Sequence, residues 1–162
     1  NTPDMEAFLY AVENSRHTLC YNGDICSVED YRTWRQQMEE KRKCAFMQES
    51  GQQTDPEDTG SLVSHLMLGR GVLKNPGLIG KLTGHAPITK DQFHAFHDDI
   101  LKGYLDVMSG ERNTLFRMKE LWFYMAPLFM QYEKYAKKIK KAEKLKLYEA
   151  VVDALFEEQD LV

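Results

Sequence analysis

Apolar residues recur at Met5, Phe8, Leu9 and Val12, the spacing of one helical face, and Pro3-Asp4 just ahead of them supply start chemistry for a first helix. The period then shortens. Thr18-Leu19-Cys20-Tyr21 is a run of strand-favouring residues that stops at Asn22-Gly23-Asp24, three residues that tolerate unusual backbone angles. Ser27 is placed to cap a second helix, with Asp30 three residues on where a capping box would carry Glu or Gln, and that helix runs through Tyr31 and Trp34 toward Met38. Residues 62 to 68 predict a second buried strand, stopped by Gly69-Arg70-Gly71. Helix, strand, helix, strand is the alternation of parallel strands joined by helical crossovers.

Beyond Pro87 the pattern is helical throughout. Phe93, Phe96, Ile100, Leu101, Tyr104, Leu105 and Met108 form one stripe, closed by Ser109-Gly110. Leu115, Met118, Leu121, Trp122, Met125 and Phe129 form the next, and further helices are expected over residues 132–141 and 145–156. The chain therefore divides into an α/β segment, residues 1–86, and a bundle of four helices, residues 87–162. Residues 48–60, polar and rich in turn-formers, read as an exposed loop.

Composition changes this picture little. The 162 residues are 43% hydrophobic, enough for a core, and the mean hydropathy of −0.53 with no long apolar run excludes a membrane-spanning helix. Cys20, Cys26 and Cys44 are odd in number and form no Cys-x-x-Cys pair, so they are expected to be reduced, buried thiols of a cytoplasmic protein rather than a disulfide framework or a zinc site. The start at Asn1-Thr2-Pro3, with neither an initiator methionine nor a signal peptide, is expected to be an internal boundary. Net charge is −4, but from Lys134 to Lys146 seven lysines stand against Glu143 alone, and a local basic face binds polyanions whatever the total.

The candidate chemistry begins at the two strand ends. Each strand runs into a glycine-containing loop followed by helix-forming sequence, the arrangement that presents backbone N–H groups to a phosphate. In (β/α)8 barrels that site lies in the loops after the last two strands, with a short extra helix that either Gly71 opens or Asn75 caps. Taken singly, each loop reads first as a turn, since short glycine motifs are weak evidence. His94 and His97, three apart with Asp98 and Asp99 beside them, are a metal-like spacing without a third convincing ligand, and are read as a solvated face beside Phe93 and Phe96, with no metal assigned.

The wording of the loops is more specific than their shape. Leu19 to Tyr31, read as L-x-Y-N-G-D-I-x-S-x-E-D-Y, and His65 to Pro76, H-L-M-L-G-R-G-V-L-K-N-P, resemble the seventh- and eighth-strand regions of tRNA-dihydrouridine synthases. The resemblance continues more loosely into Phe93-x-x-Phe96-His97, Gly103-Tyr104-Leu105 and Met118-Lys119-Glu120-Leu121-Trp122, similar to the helical domain that follows the barrel in that family. It implies the C-terminal portion of an FMN-binding (β/α)8 barrel that reduces uridine in tRNA to dihydrouridine, with NADPH as reductant. It implies that Asn22, Gly23, Asp24, Gly69, Arg70 and Gly71 hold the flavin phosphate. The family's catalytic cysteine belongs to an earlier barrel loop; neither Cys20 nor Cys26 carries its motif, so no catalytic residue is assigned and the chain by itself is expected to be inactive.

The same resemblance turns the lysine-rich stretch from a solvated face into a tRNA-backbone surface. At about 100° per residue, Lys134, Lys137, Lys138 and Lys141 share one side of a helix, with Arg112, Arg117 and Lys119 as further candidates. The connection from Asp24 to Gly69 is longer than the family's usual crossover, an insertion centred on residues 48–60. Two strands cannot close a barrel, so the isolated chain is expected to self-associate through its open edges or to leave its first ~60 residues disordered. The alternatives are a non-catalytic helical module that binds RNA or protein, and another phosphate-binding barrel enzyme.

Overall fold

The computed structural model describes residues 3–49 and 63–162, and the expected loop at 48–60 lies almost wholly outside them. The described chain is mostly helical, with one two-stranded parallel sheet. It forms two compact units, Asn1–Gly71 and Val72–Val162, so the residues between Val72 and 86, which the hydrophobic pattern groups with the α/β segment, cluster with the helical one.

The first unit opens with α1, Met5–Asn14, whose cap is Asp4: its carboxylate accepts the Ala7 N–H at 3.0 Å. Strand β1, Leu19–Tyr21, pairs in parallel with β2, Val63–Leu66, so that Tyr21 stands opposite Leu66. Beyond the ladder the Met67 N–H donates to the Tyr21 carbonyl at 2.8 Å. The crossover between the strands contains α2, Val28–Glu49, longer than the stretch to Met38 that the apolar spacing marked. Its start follows the expected chemistry with a shift. Ser27 Oγ accepts the Asp30 N–H at 3.0 Å, while the Asp30 carboxylate reaches back to the N–H of Cys26, one residue before the cap.

Strand alternation decides which β1 side chains are buried. Tyr21 is interior, stacked on Trp34 at 5.3 Å between centroids and edge-on to Phe8 at 4.8 Å. Cys20 points the opposite way and is exposed, which corrects the expectation of a buried thiol; Cys26 is half-buried, its Sγ 3.6 Å from Asp24 Oδ1. Among the described residues no helix is long and apolar enough to cross a membrane.

Helix α3, Gly69–Lys74, starts directly after β2, and α4, Leu78–Leu82, follows it. Neither expected opening of the short helix holds: α3 begins at Gly69, and Asn75 instead makes the turn into α4 by accepting the Gly77 N–H at 3.0 Å. The bundle comprises α5, Lys90–Val107; α6, Glu111–Met125; α7, Glu133–Lys141; and α8, Leu145–Glu158. Thr89 caps α5 in a full capping box with Gln92. Gly110, at φ 87°, turns the chain into α6, a conformation glycine adopts without strain. The α6 stripe ends at Met125, because Pro127 enters a single 3-10 turn, Ala126–Leu128, and Phe129 reaches the core from beyond it. That core is built on Phe93, Met118, Trp122, Phe129, Tyr148 and Phe156, all within 5% of full burial.

Candidate functional site

Parallel pairing puts the carboxyl ends of β1 and β2 side by side, and with them the two glycine loops. Arg70 Nη2 donates to Asp24 Oδ2 at 2.7 Å, a pair that joins the first loop to the first turn of α3. Both side chains are largely solvated, so the pair contributes at most about 1 kcal/mol; its consequence is positional. The guanidinium keeps further N–H donors beyond the one given to Asp24, and the first N–H groups of α3 have no acceptor within the helix.

The two glycines differ in what requires them. A Cβ built on Gly69 would meet nothing within 4 Å, so that backbone can be approached closely. A Cβ on Gly23 would lie 2.1 Å from the Tyr21 hydroxyl oxygen. Gly23 is therefore needed by the Tyr21 ring, a structural reason that the sequence motif conceals. Burial, with the Asp24 carboxylate second, raises the Tyr21 phenol above its usual range and keeps it neutral. Asn22 is exposed at the end of β1 and Gly71 is buried within α3. The Gly69–Arg70 side of this arrangement offers the guanidinium and first-turn N–H donors that suit an anion.

The basic residues of the second unit differ in how far other groups of the protein engage them. Lys134 is held by Glu158 at 3.4 Å and lies 4.6 Å above the Tyr135 ring, and Tyr135 also hydrogen-bonds Glu158. The Tyr135 hydroxyl, and after it Lys134 and then Lys138, hold the Glu158 carboxyl below its usual range, so it is charged at neutral pH. Lys137, Lys138 and Lys141 are exposed, while Tyr135, Ile139 and Ala142 turn into the core. Arg117 is bound to Glu120 at 2.8 Å; Lys119 is half-buried, and Arg112 is exposed.

His97 corrects the reading of a solvated histidine face. It is 1% exposed, and its Nε2 lies 2.7 Å from the Tyr148 hydroxyl, which in turn accepts the Trp122 indole N–H at 2.6 Å. The Asp98 carboxylate only accepts, so a neutral His97 presents Nδ1–H to it and takes the Tyr148 hydroxyl hydrogen at Nε2, while the same hydroxyl oxygen accepts the indole N–H. His97 is then the tautomer protonated at Nδ1, which donates to Asp98 at 2.9 Å. Burial lowers the His97 pKa despite that carboxylate, and the ring is neutral. His94 lies beside it, 3.3 Å from Asp153 and stacked on Phe156. The donor atoms of His94, His97 and Asp98 fall within 4.8 Å of one another. In the tautomer these bonds select, His97 Nδ1 carries a proton that a cation would have to displace.

Spacing in the sequence revealed none of the Trp122–Tyr148–His97 chain, because its three members come from three helices. No family model, curated protein or solved structure matches this chain.

Proposed function

We propose that the chain is the C-terminal part of a flavin-dependent tRNA-dihydrouridine synthase, its first unit supplying the phosphate end of an FMN site in a (β/α)8 barrel and its second contacting tRNA in the cytoplasm. The observation that carries this reading is the adjacency of Asn22-Gly23-Asp24 and Gly69-Arg70-Gly71 at the carboxyl ends of a parallel pair, joined through Arg70 and Asp24. That is the position of phosphate sites in such barrels.

In this reading the first turn of α3 offers backbone N–H groups to the phosphate, Arg70 adds positive charge, and Asp24 orients Arg70. Bound FMN supplies the electrons that reduce the uracil ring, replenished from NADPH. The proton donor, a cysteine, lies on a barrel segment other than this one.

The coding frame tests the proposal first: it must continue upstream of Asn1 through the remaining barrel strands and a cysteine-bearing loop. In the protein carrying that barrel, Gly69→Val should reduce flavin absorbance after purification while far-ultraviolet circular dichroism is unchanged. Gly69 is the informative position because its side-chain space is empty. Undiminished flavin in that variant would remove the phosphate assignment.

A further inference from the structure

Two phenylalanines on α6 remain in water, Phe116 at 61% and Phe123 at 79% exposure. They are seven residues apart, two helical turns, and so lie on one face about 10 Å apart along the axis. Between them on that face stand Lys119 and Glu120, and across a cleft stand Lys137 and Lys140 of α7, with Trp122 and Ile139 below. Glu120 is the acidic residue of this lining, and Arg117 already binds it. The three lysines are thus left facing an apolar cleft with no carboxylate of their own in its lining.

Exposed aromatic faces alternating with ammonium groups match a partner that itself alternates flat rings with negative charges. We infer that the cleft between α6 and α7 takes unstacked nucleotides of RNA, bases lying on Phe116 and Phe123 while phosphates meet Lys119, Lys137 and Lys140. The inference rests on the RNA-binding reading above and deepens it, since the lysine ridge of α7 needs no aromatic partner and would suit a duplex as well. Bases inside an A-form helix offer no free face to a phenyl ring, so this surface selects loops or single strands. Phe116 and Lys119 also line a second cleft with Arg112 and Lys144, at the turn between α7 and α8, where Glu111 and Glu143 moderate the charge. An RNA strand leaving Phe116 has a continuing path there.

The test uses the full chain with two probes, a labelled single-stranded oligouridylate and unfractionated tRNA, over a range of salt. Phe116→Leu with Phe123→Leu keeps the surface apolar and removes the stacking faces. It should weaken oligouridylate binding about tenfold or more without changing the slope against salt, and Phe→Trp at the same positions should restore binding. Lys137→Gln with Lys140→Gln should instead flatten the slope, by about 0.7 for each single-strand phosphate that no longer meets a lysine. If the phenylalanine variant binds both probes like the parent while the lysine variant does not, the RNA reading survives and the stacking inference is overturned. If the parent binds neither probe at low salt, both fall together. Loss of binding to polyglutamate or to anionic vesicles in the phenylalanine variant, with RNA binding intact, would overturn the inference in favour of a protein or membrane partner.

Discussion

The Tyr148 hydroxyl stands 2.7 Å from His97 Nε2, 51 positions away in sequence, and the same oxygen receives the Trp122 indole N–H. One hydroxyl thus satisfies two buried groups from two other helices. Tyr148→Phe would leave both the indole N–H and the imidazole nitrogen without a partner in an otherwise apolar core. The expected cost is about 2–6 kcal/mol, since each of the two buried unsatisfied groups costs about 1–3 kcal/mol. Urea denaturation at neutral pH measures it; a loss below about 1 kcal/mol would show that the three residues do not act as one network.

The same network gives the bundle a dependence on pH. His97 is held below its ordinary value of 6.5, chiefly by burial, so the unfolded chain takes up a proton at a pH where the folded one does not. The stability this confers is complete above the unfolded value and is lost as pH falls below about 6.5 toward the folded pKa. Unfolding midpoints measured downward from neutrality should therefore decline in this window. In His97→Gln, a less stable protein, the decline over that window should be shallower. Parallel curves for the two proteins would assign the decline to other groups.

What the sequence disclosed and what it hid have physical reasons. Local features were legible: the apolar stripe of α5, the strand pair, and the cap at Asp4 each depend on neighbours within a few residues. Thr89 and Gln92 carried a capping-box signal that marks the start of α5, and the apolar stripe alone passed over it. The exposure of Cys20 followed from which face of a three-residue strand meets the core, and so short a strand does not fix that face by its own pattern. The burial of His97 depended on Tyr148 and Trp122, distant in sequence, and its polar identity argued for the surface. The lysines of α7 were correctly projected onto a helix, but the partner that engages Lys134 comes from the end of α8.

Gly23 allows a direct check of the site's geometry. Its absent side chain makes room for the Tyr21 ring, which stacks on Trp34. Gly23→Ala should displace that ring, destabilise the first unit by about 1–3 kcal/mol as an overpacking change does, and alter the fluorescence of Trp34. Gly69→Ala should do none of these. Equal behaviour of the two variants would mean that Tyr21 does not occupy the space beside Gly23.

The lysines of α7 differ in how far their charge is already answered within the protein. Lys134 is engaged by Glu158 and Tyr135, whereas Lys137, Lys138 and Lys141 are exposed on the same helix. Interactions with Tyr135 and then Glu158 raise the Lys134 pKa, so the residue stays charged, yet its charge is already answered within the protein. Lys134→Gln should then change tRNA affinity and its salt slope less than any of the other three substitutions. The combined Lys137→Gln, Lys138→Gln and Lys141→Gln variant should lower the slope by about 2 to 3 units, at about 0.7–0.9 per neutralised phosphate. Glu158→Gln provides the converse: by releasing Lys134 and removing a negative charge beside Lys138, it should strengthen binding at low salt and steepen the slope. If Lys134→Gln instead weakens binding as much as the other substitutions do, the pair with Glu158 opens when RNA arrives, and all four lysines belong to one phosphate-tracking ridge.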